Sequence, residues 1–218
     1  MTKKLCSACL MLLMVFSFAS CQSGNGEGTA STAQTTQAVQ TKAASTETEP
    51  EPETTRSTEK TAVVYFSATG NTGKAAQLLA EETGGDLFEI QPKDPYTEAD
   101  LDYNQDDCRA NREQQDTAAR PEIGNDLSAV ESYDVLYLGY PIWWGTHPRI
   151  IETFLDSYDL SGAQVYTFCT SGGSTIEKSV GELQSMYAKL HIVEGKRLNG
   201  ASGEDIRTWL GECITPSR

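Results

Sequence analysis

The chain runs to 218 residues and carries 31 acidic against 17 basic side chains, a formal net charge of −14. An excess of that sign argues against nucleic-acid binding, which needs a basic face. It suits solubility or docking to a basic partner.

In chain order, Lys3 and Lys4 form a basic start ahead of an apolar run over residues 10–18 that is too short to span a bilayer. Ala19-Ser20 then precede Cys21. Small residues before a Cys, after an apolar run, resemble a bacterial lipobox, with Phe18 standing where Leu is commonest. The resemblance implies a signal peptide over residues 1–20, a lipid on Cys21 and an exported chain anchored to the cell membrane. Ordinary signal-peptidase cleavage, giving a soluble exported product, is the alternative. Residues 22–58 are dominated by Thr, Ser, Gln, Ala, Gly, Glu and Pro, with Val39 the single large aliphatic side chain. Such a segment cannot bury enough apolar surface to offset its ordering entropy. With Cys21 it reads as a disordered tether, spanning on the order of 35 Å. Residues 59–218 remain, enough for one domain with a single core.

Within that domain, residues 61–66 form a near-continuous apolar strand of the kind covered on both faces. A helix over residues 73–83 follows, closed by Gly84-Gly85. Between them lies Ser67-Ala68-Thr69-Gly70-Asn71-Thr72. A strand turning through such a loop into a helix N-terminus makes an anion site, because the first helical amides lack partners and the dipole is positive there. Gly70 allows close approach, and the hydroxyls and the amide of Asn71 add donors. A Walker A loop is excluded, since Lys74 is followed by Ala75, and the three-glycine dinucleotide fingerprint is incomplete.

Residues 86–90 read as a second strand. The polar stretch from Tyr96 to Arg120 predicts a helix over about residues 97–118, with a thin apolar face lying over an edge of the domain. A third strand, residues 134–140, runs into Pro141-Ile142-Trp143-Trp144-Gly145-Thr146 and then a helix opened by Pro148. A fourth, residues 164–169, leads into Thr170-Ser171-Gly172-Gly173-Ser174, with Ser174 and Glu177 at capping-box spacing. Ile176, Val180, Leu183 and Tyr187 then mark one helix face. Residues 191–194 form a weak fifth strand, and a last helix starts near Ser202. Strands alternating with helices predict an α/β doubly wound parallel sheet, and five strands fit the order 2-1-3-4-5. Ligands in such sheets bind beyond the carboxyl ends of the strands where the order reverses. The loops after strands one, three and four, the three of unusual composition, meet there. Cys108, Cys169 and Cys213 form no Cys-x-x-Cys or His/Cys cluster, so no metal is expected. They allow one disulfide and a free thiol, or none.

These three loops together resemble a bacterial subgroup of the flavodoxin family, over almost the whole of the folded region. The resemblance implies a five-stranded flavodoxin-like sheet and non-covalently bound FMN. Ser67, Thr69, Gly70, Asn71 and Thr72 would hold the phosphate. Pro141, Ile142, Trp143, Trp144 and Gly145 would frame the isoalloxazine ring, which stacks well on indole. Thr170, Ser171, Gly172 and Gly173 would offer amides to the pyrimidine edge. The loop after strand four lacks the Tyr that usually covers the ring in short-chain flavodoxins, leaving one ring face open. Three readings follow: an electron carrier serving a redox partner protein at the outer face of the membrane, an FMN-dependent NAD(P)H:quinone-type oxidoreductase, and a scaffold module that has lost its flavin. His147 either contacts the ligand or caps the following helix. No catalytic side chain is singled out.

Overall fold

The computed structural model describes residues 59–214. The expected signal peptide, Cys21 and tether lie outside the described residues. Five strands, β1 (Thr61–Tyr65), β2 (Asp86–Glu89), β3 (Val135–Pro141), β4 (Gln164–Thr170) and β5 (His191–Arg197), form one parallel sheet in the order 2-1-3-4-5. The helices are α1 (Asn71–Thr83), α2 (Arg109–Gln115), α3 (Arg149–Ser157), α4 (Glu177–Met186) and α5 (Gly203–Ile214). Among the described residues no helix is long and apolar enough to cross a membrane.

Side-chain alternation along β1 divides the core. Ala62, Val64 and Phe66 pack with Ile150, Phe154, Val180 and Leu183 of α3 and α4. Val63 and Tyr65 pack with Ala76 and Leu79 of α1 and with Ile206 and Trp209 of α5. Residues on both faces of β1 are buried, which is why the strand reads as an unbroken apolar run. Gly139 of β3 lies opposite Phe168 of β4. A Cβ there would sit 2.1 Å from the Phe168 ring, so the ring occupies the space that glycine leaves. Beyond Tyr166 the β4–β5 pairing slips, from Tyr166↔Val193 to Phe168↔Lys196, and β5 runs on to Arg197, past the expected end.

The expected helix over residues 97–118 is not one helix. A 3-10 turn (Ala99–Leu101) and the seven-residue α2 replace it. Short polar side chains take the backbone groups that a longer helix would need. Asp100 accepts from the Thr97 amide at 2.9 Å, Asp102 from the Asn104 amide at 3.2 Å, and the Cys108 sulfur from the Asn111 amide at 3.4 Å. Nor does the stretch lie only over an edge, since Cys108 and Ala110 belong to the core and Tyr96 packs against it. The expected cap at Ser174 also fails to form. α4 starts at Glu177 after Ile176, without a side-chain cap. The reciprocal box forms instead at α5, where Ser202 Oγ accepts from the Asp205 amide at 3.2 Å and Asp205 accepts from the Ser202 amide at 2.8 Å. Cys108 and Cys169 are buried free thiols, and Cys213 is a partly buried one. Burial pushes the Cys169 thiol up to about 12.

Candidate functional site

The loops after β1, β3 and β4 converge at the carboxyl edge of the sheet. In the first, Gly70 adopts φ 81° and turns the chain into α1, whose opening turn has no side-chain cap and no acidic residue. The first intrahelical bond runs from the Lys74 amide to the Gly70 carbonyl at 3.1 Å, so the amides ahead of it have no acceptor within the helix. The Ser67 hydroxyl is buried without a hydrogen-bond partner. Asn71 Nδ2 donates to Thr69 Oγ1 at 3.3 Å at the exposed rim. Thr72 is buried, and its hydroxyl meets that of Thr170 at 2.8 Å, joining the first loop to the third.

Pro141 ends β3, and the Ile142 amide donates to the Thr170 carbonyl at 2.8 Å, joining the second loop to the third. Reciprocal Trp143–Thr146 backbone bonds of 2.9 and 3.0 Å close a two-residue turn. Its central residues, Trp144 at φ 49° and Gly145 at φ 81°, both lie in the left-handed region, a type I′ turn. Among the described residues Trp144 is the one non-glycine with positive φ. The two tryptophans part company there. Trp143 is only 5 % exposed and packs edge-on against Phe66 at 5.7 Å and Tyr96 at 5.3 Å, so it is core. Trp144 is 48 % exposed, with its ring 4.9 Å from that of Tyr103, itself 49 % exposed.

In the third loop Thr170 is buried, while Gly172 and Gly173 are exposed and a Cβ at either would meet nothing within 4 Å. The Ser171 amide donates to Asn199 Oδ1 at 2.8 Å and the Gly173 amide to Ser171 Oγ at 3.1 Å, so side chains hold this loop in place. His147 caps nothing. Pro148 precedes α3, and the imidazole is wholly buried with both nitrogens engaged.

Sequence reasoning missed the contribution of the polar stretch before β3. Tyr96 buttresses Trp143, is stacked under the Arg109 guanidinium at 4.1 Å and donates to Glu113. Burial and the Glu113 carboxylate hold its phenol well above the usual tyrosine range. Gln114 Nε2 donates to the carbonyls of Trp143 at 3.1 Å and His147 at 3.3 Å. The one signal in the sequence was a pair of tyrosines within an otherwise charged run. Among the described residues no group of three or more His, Cys, Asp or Glu side chains could hold a metal ion.

Against this geometry, the family model described as Flavodoxin matches residues 60–213. The chain belongs to the flavodoxin family. A candidate flavoprotein from Bacteroides eggerthii is 44% identical, with 72% of this chain and 99% of that one covered and a TM-score of 0.70. A second, from Bacteroides uniformis, is 44% identical over 70% of this chain and 98% of that one, with a TM-score of 0.68. A flavoprotein from Lactobacillus acidophilus, solved in complex with FMN, is 26% identical over 70% of this chain and 99% of that one, with a TM-score of 0.56. No curated protein matches the chain. For a flavodoxin-family chain, the sheet order places the reversal between β1 and β3, where the first two loops emerge.

Proposed function

We propose that this flavodoxin-family protein binds FMN non-covalently and carries electrons between partners at the outer face of the cell membrane, held there by a lipid on Cys21. The observation that carries the flavin reading is the first loop: an uncapped helix N-terminus beside a buried Ser67 hydroxyl that lacks a partner, tied by Thr72 to the third loop. A donor set of amides and hydroxyls without a carboxylate fits a phosphate. Ser67, Thr69, Gly70, Asn71 and Thr72 would hold that group. Pro141 to Gly145 and Thr170 to Gly173 would frame the ring, with Trp144 as the aromatic surface left free to meet it. The bound flavin supplies one- and two-electron transfer. The protein's part is to bind, orient and shield it. The FMN complex of the Lactobacillus acidophilus flavoprotein supports the choice of ligand.

Titration of FMN fluorescence with the purified protein tests this. Stoichiometric quenching is expected, weakened in a Thr69→Ala/Thr72→Ala variant and in Trp144→Ala. Absence of quenching by the folded wild type removes every flavin reading and leaves the scaffold module. Fatty-acid labelling that is lost in Cys21→Ser tests the anchor.

A second reading, an FMN-dependent NAD(P)H:quinone-type oxidoreductase, draws support from the third loop. Thr170 to Ser174 holds no aromatic side chain, and Gly172 and Gly173 face open space, which leaves room for a flat acceptor. Turnover of NADH or NADPH with a quinone, measured against free FMN, separates enzyme from carrier.

A further inference from the structure

A buried polar chain runs behind the Trp143–Thr146 turn. Ser179 Oγ donates to the Tyr140 hydroxyl at 3.1 Å and lies 3.2 Å from His147 Nδ1. His147 Nε2 stands 3.1 Å from Glu152 Oε1. Arg149 donates to that same oxygen at 2.5 Å, and Arg120 meets Glu152 Oε2 at 2.6 Å. On the turn side, Thr146 Oγ1 lies 3.2 Å from His147 Nδ1 and donates to Glu182 of α4. Tyr140, His147, Ser179 and Glu152 are all buried.

Such a cluster is a poor way to gain stability, because desolvating the charges offsets most of their attraction. Its members come from β3, the turn, α3, α4 and the stretch after α2. They therefore join the turn that carries Trp144 to the helix that follows the third loop. Gln114 grips the same turn from the other side through the Trp143 and His147 carbonyls. A turn whose tip residue holds an unfavourable backbone conformation persists only when its surroundings over-determine it.

We propose that His147 and Glu152 are positioning residues, which fix the Trp143–Thr146 turn, and Trp144 at its tip, against α4. The effect on ligand binding rests on the flavin reading above; the placement of Trp144 does not.

The test follows the indole N–H signal of Trp144 by NMR in isotope-labelled protein, assigned by its loss in Trp144→Phe. His147→Leu keeps approximate volume and removes the ring's contacts with Thr146, Ser179 and Glu152, whereas His147→Gln retains a donor toward Glu152. Without flavin, the Leu variant is expected to shift or broaden the Trp144 signal and the Gln variant to restore it. With FMN, the Leu variant is expected to lose about tenfold in affinity and to change the midpoint potential, with the Gln variant recovering both. A side chain that merely filled space would be replaced well by Leu. A folded His147→Leu protein with an unmoved Trp144 signal overturns the proposal. Should that variant fail to fold, Glu152→Gln read the same way decides it. If wild type binds no FMN, the flavin reading fails while the flavin-free signals still judge the positioning.

Discussion

Trp144 sits at φ 49°, where a bulky side chain costs on the order of 1–3 kcal/mol. The same turn with Asn at that position would read Asn-Gly, the dipeptide that type I′ turns favour. Trp144→Asn is therefore expected to raise the unfolding free energy by about 1 kcal/mol while weakening FMN binding, measured by denaturant titration beside the fluorescence titration. A variant that loses both stability and binding would show that the Tyr103 contact outweighs the backbone strain. The loop carrying Trp143 and Trp144 was legible as an aromatic wall of the site. Which one faced inward was not, because that depends on Phe66 and Tyr96, distant in sequence.

At the scale of elements, the Phe168 ring of β4 packs into the space that Gly139 of β3 leaves empty. Gly139→Ala would drive a methyl group into Phe168, and overpacking of a core costs typically 1–3 kcal/mol. A denaturant midpoint lowered without a change in slope is the expected result; an unchanged midpoint would mean that Phe168 swings aside freely. β1, β3 and β4 followed from their apolar runs, since burial on both faces leaves its mark on all but their end residues. The order of the sheet came with the likeness to the five-stranded flavodoxin-like fold, and β2, mostly exposed, leaves a fainter trace. The stretch from Tyr96 to Arg120 did not follow. Its conformation is set by side chains that bond their own backbone and by Tyr96 and Gln114 reaching across to β3's loop, and neither leaves a periodic trace. The three site loops were legible as unusual compositions on one edge. The hydroxyl contact between Thr72 and Thr170, 98 residues apart, was not, because nothing local encodes a partner.

For the molecule as a whole, the buried groups raised on folding, several tyrosines and the Cys169 thiol, weigh against alkaline pH. Burial holds Tyr137 and Tyr140 well above the usual tyrosine range, and burial together with Asp156 does the same for Tyr187. A group whose folded value lies above its unfolded one, about 10 for tyrosine, stabilises the fold fully below that pH. The contribution is lost as pH rises toward the folded values. Thermal midpoints are thus expected to fall steadily above about pH 10, faster in wild type than in Tyr137→Phe. Equal slopes in the two proteins would remove Tyr137 from the account.

The free thiols carry a different consequence. Cys169 lies in β4 next to Thr170, wholly buried, and burial that pushes its thiol up to about 12 disfavours the reactive thiolate. For the exported protein proposed above, burial would keep the Cys169 sulfur out of reach of thiol–disulfide exchange.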